Sequence, residues 1–257
     1  MADIMGIGEA LSSKVAEKAY DDAVSKAAKQ FGNFGEDFLK AARLVLFPVQ
    51  MAAAMHDRLE RTLERVCSRV PEERRTTPPP LQILGPIFEY IKYIDDDKIL
   101  YELFEELLAR SIDSERIAEA HPSFIHIIAQ LSHDEAIILL ELKKNDFEVV
   151  DTLDLDHEND RWVNLKIEKT TIPKDKLLFP SNDKMYYSHL GSLSLVEWPV
   201  LRQDPIKDSD RQIGVRRYSK VHLTEFGKYF VNACVPENGF RNNTDTGREP
   251  KPEGGGG

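Results

Sequence analysis

Apolar residues recur at helical spacing through the middle of the chain. Between residues 99 and 108 they fall at i, i+1, i+4, i+5, i+8 and i+9, which places them on one stripe of a helix. The stripe consists of Ile99, Leu100, Leu103, Phe104, Leu107 and Leu108. Glu102, Glu105 and Glu106 fall on the other side, so we expect these three carboxylates to face solvent.

Further helices are predicted on both sides of this one. Ser132 followed three residues later by Glu135 is a capping box, and the apolar positions after it extend the helix to Leu142. A shorter helix is expected from Leu81 to Ile94, entered through three consecutive prolines. These local patterns are typical of a helical bundle.

The pattern changes after Leu142. Short apolar patches at 147–150 and 162–167 indicate strands, separated by an acidic stretch that we interpret as a loop. Residues 183–235 then predict a helix, a hairpin and a last helix that begins at Thr224. This order of elements is typical of a winged helix.

We therefore predict a mainly α fold, with an N-terminal and central helical bundle followed by a small α+β winged-helix-like part. The expected divisions are a helical arm at 1–75, an acidic bundle at 76–146, the winged-helix-like part at 147–235 and a disordered tail at 236–257. The proline-rich stretch after residue 70 marks the first boundary.

Charge is distributed unevenly along the chain. Of the net charge of −10, residues 81–160 carry 6 basic and 20 acidic side chains, whereas residues 161–257 carry 16 basic and 12 acidic ones. One interpretation is a solvated face that favours solubility. The other is a docking face for a basic protein partner or a second subunit, with Glu102, Glu105 and Glu106 as its candidate residues.

An uncharged apolar run lies further upstream, from Leu44 to Met55. A bilayer span needs about 20 apolar residues, so this run is too short to cross a membrane. A buried hairpin or a kink at Pro48 is one interpretation, and a membrane-inserting effector segment is the alternative. The residues of the candidate segment are Leu44, Leu46, Phe47, Val49, Met51 and Met55.

No pattern in the sequence predicts catalysis, a metal site or a cofactor. The motifs expected of zinc proteases and phosphate-binding loops are missing from the sequence, and the contiguous Ser132, His133 and Asp134 would diverge on a helix. The winged-helix-like part carries cations that could contact nucleic acid, but its first helix has only Lys184. Those candidate cations are Arg211, Arg216, Arg217 and Lys220.

Several separated motifs occur together in a distinctive order. They are the stretch YIKYIDDDKILYELFEELLARSID, then HPSFIHIIAQLSHDEAIIL, then SHLGSLSLVEW and finally HLTEFGKYFVNACV. In this respect the chain, from Ala41 to Val235, resembles the bacterial abortive infection alpha family. The resemblance implies a link to anti-phage defence and supplies no catalytic residues.

These observations together predict a non-enzymatic defence protein that binds a protein partner or assembles as a homo-oligomer. We expect it to be cytoplasmic, because Cys67 and Cys234 lie far apart and are typical of unpaired thiols. A membrane-acting effector and a winged-helix regulator that binds DNA are the alternatives. In the effector case the chain would associate with the membrane on activation.

Overall fold

A computed structural model describes residues 56–76, 80–95 and 98–241. The candidate membrane segment from Leu44 to Met55 lies outside the described residues, so its interpretation stays a hypothesis. The described residues contain seven α-helices and five β-strands, joined by turns and four short 3-10 helices. The helices are α1 (His56–Arg69), α2 (Leu81–Ile91), α3 (Ile99–Ile112), α4 (Ser123–Ile128), α5 (His133–Lys144), α6 (Asp183–Ser192) and α7 (Glu225–Cys234). The strands are β1 (Phe147–Asp156), β2 (Arg161–Thr170), β3 (Val196–Glu197), β4 (Val200–Asp208) and β5 (Arg211–Leu223).

The caps predicted at Ser132 and Thr224 are confirmed, whereas no side chain among the described residues caps the start of α3 or α6. Ser132 accepts a hydrogen bond from the backbone N–H of Glu135, and the Glu135 carboxylate accepts one from the backbone N–H of Ser132. Thr224 accepts a hydrogen bond from the backbone N–H of Gly227 at the start of α7. Each cap satisfies amide groups that the first turn of a helix leaves without an internal partner.

Helix α3 lies at the centre of the helical part. It packs against α1, α2, α4, α5 and α7. Of its residues, only Leu100 is not fully buried. A helix that is covered all round must bury its polar side as well as its apolar stripe. The polar side of α3 is therefore part of the interior, which the amphipathic pattern alone did not indicate.

The strands form one antiparallel sheet of five. Strand β1 pairs with β2 on one side and with β5 on the other. Strand β5 pairs in turn with β4, and its last two residues pair with β3. The helix, hairpin and last helix predicted for 183–235 are present as α6, β4–β5 and α7. The winged-helix comparison itself stays a prediction.

The expectation of a mainly α fold is wrong, because the described chain is α+β. The first half of the stretch interpreted as an acidic loop belongs to β1, which extends to Asp156, and only residues 157–160 form the turn into β2. Its alternating leucines and aspartates satisfy the two-residue period of a strand. Charged residues on both faces of the hairpin strands obscured that period in the sequence.

A single hydrophobic core joins the helices to the sheet. Its buried residues extend from Leu63 in α1 to Phe240 beyond α7, and Val149 and Val221 bring the sheet into it. The segment after α7, which we expected to belong to a disordered tail, packs Phe240 to 4% exposure. Helices and sheet are therefore held by the same apolar contacts.

Candidate functional site

The three glutamates expected on an exposed acidic face are buried instead. Glu102 and Glu105 are each 1% exposed, and Glu106 is 5% exposed. Glu105 forms ion pairs with Arg69 at 3.1 Å and with Arg241 at 2.8 Å. The reason is that α1 and the segment after α7 cover this side of α3 and bring arginines to it.

Glu102 is the carboxylate most dependent on that segment. Burial raises its pKa above the ordinary value, and this effect outweighs the hydrogen bonds from the backbone N–H of Arg241. That N–H lies 3.2 and 3.1 Å from the two carboxylate oxygens. These hydrogen bonds join α3 to the C-terminal segment. The Glu102 carboxylate is not placed to meet a partner from solvent.

The candidate cations for nucleic-acid contact are also engaged within the sheet. Arg216 forms two hydrogen bonds to Glu168, at 2.8 and 2.9 Å, and Arg217 donates to Asp151 at 2.7 Å. The remaining pairs are Lys220 with Asp146 at 2.6 Å and the guanidinium of Arg211 with the imidazole of His157 at 3.2 Å. Charges already paired with carboxylates or held by the fold have less to gain from phosphates.

A groove between the sheet and α6 is the clearest site for a partner. We call it the sheet–helix groove; it has a volume of about 290 Å³. One side is formed by strand residues and the other by α6 and the segment after it. The lining residues are Val149, Asp151, Leu165, Ile167, Asp183, Lys184, Tyr187, Trp198, Val200, Arg217 and Ser219.

The groove exposes apolar side chains that a folded protein ordinarily buries. Leu165 and Ile167 on β2 are each 48% exposed, and Val200 at the start of β4 is 41% exposed. Contiguous exposed apolar surface of this kind marks sites where proteins bind one another or bind ligands. At the floor of the groove, Asp151 and Arg217 form the ion pair already described, which supplies polar groups beside the apolar walls.

Tyr187 is the most unusual residue of the groove. Its side chain is 7% exposed, and its hydroxyl has no hydrogen-bond partner among the described residues. Burial, together with the negative charge of Asp183, raises the pKa of this phenol well above its usual range, so the hydroxyl is neutral. Trp198 meets the Tyr187 ring edge-on at 5.2 Å. Lys184, Tyr187 and Trp198 also line a neighbouring cavity of about 320 Å³.

The position of α6 is fixed by a buried carboxylate at the start of α5. Asp134 accepts hydrogen bonds from the backbone N–H groups of Leu178 and Phe179, both at 2.8 Å, and from the hydroxyl of Tyr186 at 2.9 Å. Burial alone would raise the pKa of Asp134, but these hydrogen bonds outweigh it and hold the pKa below the ordinary value. The ionised carboxylate therefore ties the segment before α6, and α6 itself, to the helical part.

Sequence reasoning assigned the groove no role. Its residues come from β1, β2, β4, β5, α6 and, for Trp198, the segment between β3 and β4. The sheet brings together positions up to 70 residues apart, Val149 and Ser219. The available signal was the alternation of apolar and charged residues in β2, which implies one apolar face. No signal distinguished Tyr187 from the bonded Tyr186 beside it.

The described residues contain neither a cluster of metal-binding side chains nor a helix that could span a membrane. Within 56–76, 80–95 and 98–241, no three histidine, cysteine, aspartate or glutamate side chains are grouped so that they could hold a metal ion. Across those same ranges, every helix is either too short or too polar to pass through a bilayer.

Fold and groove together define an α+β protein with a partly apolar groove at the junction of a sheet and a helix. The family model of abortive infection alpha matches residues 51–234, and the chain belongs to that family. This membership confirms the resemblance seen in the sequence and links the protein to abortive infection. Comparisons with curated proteins and with solved structures found no match.

Proposed function

We propose that this protein contributes to abortive infection by binding a protein partner in the sheet–helix groove, without catalysing a reaction. The observation that carries the proposal is the Tyr187 hydroxyl, buried in the wall of an apolar groove without a hydrogen-bond partner among the described residues. A buried hydroxyl without a partner costs about 1–3 kcal/mol. Because the hydroxyl oxygen is itself inaccessible, a partner would recover that cost only if its binding shifts the wall of the groove and brings an acceptor or a donor to this oxygen.

The composition of the groove supports a protein as the partner. Protein interfaces are enriched in tyrosine, tryptophan and arginine, and their energetic centres are aromatic anchors surrounded by apolar contacts. Tyr187, Trp198 and Arg217 provide these groups, with Leu165 and Ile167 beside them. The groove is small enough to take one or two side chains of a partner, which suits recognition of a short segment.

A matched pair of substitutions tests the proposal. Ile167→Glu places a charge in the groove, whereas Leu201→Glu places the same charge at a β4 residue that is 64% exposed and does not line the groove. Bacteria that carry each variant are challenged with a phage panel that the wild-type chain restricts, and the efficiency of plating is measured. Equal protein levels and matching circular dichroism spectra serve as controls for folding.

We expect Ile167→Glu to lose protection and Leu201→Glu to keep it. Full protection by Ile167→Glu would overturn the assignment of the groove. Turnover of nucleotide or nucleic acid by the purified chain, lost together with protection, would overturn the non-enzymatic part of the proposal.

A further inference from the structure

Strand β2 is an open edge of the sheet. It pairs with β1, and no other strand within the described part of the chain pairs with it. It spans ten residues, from Arg161 to Thr170, and most of them are exposed. An open edge of this length presents backbone N–H and C=O groups that an additional strand can pair with.

The two faces of this edge differ in chemistry. Leu165 and Ile167 line the sheet–helix groove, as do Val149 and Asp151 of β1. Lys166 is paired in register with Thr152, and Lys169 with Val150. Successive side chains of β1 alternate between faces, so Val150 and Thr152 lie opposite the groove. Both lysines share that face with their partners, because a register shift between Val150 and Asp151 makes Glu168 an extra residue in β2.

On that opposite face, the side chains of β2 itself include two lysines and one glutamate. Glu168 is neutralised by Arg216 through two hydrogen bonds. Lys166 and Lys169 form no ion pair with any residue that the structure describes, although Lys220 on the neighbouring part of the sheet is paired with Asp146. Strand β2 therefore has one apolar face and one face on which its own charges are mainly positive, while Glu148 and Asp154 of β1 lie on that face one strand further from the edge.

We propose that the partner is an extended acidic segment that adds to β2 as a sixth strand, with apolar side chains toward the groove and carboxylates toward Lys166 and Lys169. This inference rests on the proposed function and names the chemistry of its partner. A strand added to β2 would lie beside Leu165 and Ile167, so its apolar side chains would extend the wall of the groove. Opposite charges paired across strands stabilise a sheet, and like charges destabilise it. The basic edge consequently selects against a second copy of itself and in favour of an acidic sequence.

The test uses peptides and the full chain. An acetylated, fluorescein-labelled peptide that alternates glutamate with valine is the probe, and fluorescence anisotropy measures its affinity. The same peptide with lysine in place of glutamate tests charge, and a version N-methylated at alternate residues tests the backbone ladder. The double variant Lys166→Glu/Lys169→Glu changes only exposed side chains.

We expect the acidic peptide to bind about tenfold more tightly than the basic one, and the double variant to reverse this preference, because opposite charges paired across strands attract and like charges repel. Backbone methylation should abolish binding. Equal affinity for both peptides, equal affinity after methylation, or no binding of any peptide would overturn strand addition. The last result would indicate that the lysines protect the edge from pairing.

The two proposals fail separately. Loss of protection in Ile167→Glu without any preference for the acidic peptide would leave the groove as the partner site and reject strand addition. Full protection by Ile167→Glu together with selective binding of the acidic peptide would reject the functional role of the groove. In that case the edge would still bind acidic strands.

Discussion

Two adjacent tyrosines on α6 are expected to respond in opposite ways to loss of their hydroxyls. Tyr186 and Tyr187 are both buried, at 3% and 7% exposure. The Tyr186 hydroxyl donates to the ionised Asp134 at 2.9 Å, whereas the Tyr187 hydroxyl has no partner among the described residues. Phenylalanine in place of either one removes a single oxygen and keeps the ring.

The size of each change in the free energy of unfolding follows from the environment of the hydroxyl that is removed. A hydrogen bond to a charged group contributes about 1.5–3 kcal/mol, so Tyr186→Phe should lower the free energy of unfolding by about that amount. A buried polar group without a partner costs about 1–3 kcal/mol. Tyr187→Phe removes that cost, and we expect it to raise the free energy of unfolding by about 1 kcal/mol.

Equilibrium unfolding in urea, followed by far-ultraviolet circular dichroism, measures both changes on the purified chain. Linear extrapolation to water gives the free energy of unfolding for each variant, and an unchanged m-value shows that the two-state description still applies. A double-mutant cycle that compares wild type, Tyr186→Phe, Asp134→Asn and the combined variant gives the interaction energy between those two side chains. If Tyr187→Phe destabilised the chain as much as Tyr186→Phe does, our account of the Tyr187 hydroxyl would be refuted.

Two further predictions concern the elements that support the groove. Because the folded state holds the pKa of Asp134 below its ordinary value, the stability it contributes is present above that value and is lost as pH falls through the lowered pKa. The gap in urea stability between wild type and Asp134→Asn should therefore be widest near neutral pH and should narrow below about pH 4; a constant gap would contradict this. At Gly227 an added Cβ would lie 2.0 Å from the backbone oxygen of Leu195. Gly227→Ala should thus lower the unfolding free energy by about 1–3 kcal/mol or more, while Gly191→Ala, with 3.7 Å of clearance, should be neutral or slightly stabilising; equal effects at both glycines would contradict the close approach.

Features encoded within a few residues could be predicted from the sequence. The capping box at Ser132 and the cap at Thr224 depend on side chains close to the amides they satisfy, and both are present. The apolar stripe that begins at Ile99 likewise predicts α3, because helical spacing is a local property. The two cysteines, expected to be unpaired, are free and buried.

We underestimated the extent of the sheet because charged residues occur on both faces of its strands and interrupt the apolar period. In β1 the buried residues alternate with exposed ones only from Phe147 to Asp151, and beyond that point both faces are partly exposed. Aspartates at both kinds of position weaken the apolar period that identifies a strand. The second half of β1 is stabilised by its pairing with β2 and β5 rather than by the strand propensity of its residues, and this pairing cannot be read from the sequence.

The exposure of the glutamates was predicted wrongly for a related reason. A polar stripe on one helix is ordinarily solvated, but it can be buried when a second charged stripe faces it. Arg69 on α1 and Arg241 after α7 provide that second stripe for Glu105. Complementary charge between the arginines of α1 and the glutamates of α3 was visible in the sequence, although nothing in it showed that the two helices are neighbours.

The central claim is that the sheet–helix groove binds a partner, and that the Tyr187 hydroxyl needed for binding lowers the stability of the chain when no partner is bound. The most direct measurement is the efficiency of plating of a restricted phage on bacteria that carry Tyr187→Phe, with the unfolding free energy of the same variant. We predict a chain that is at least as stable as wild type and protects less. A variant that is more stable and protects as well as wild type would contradict the claim, because the hydroxyl would then have no function that offsets its cost.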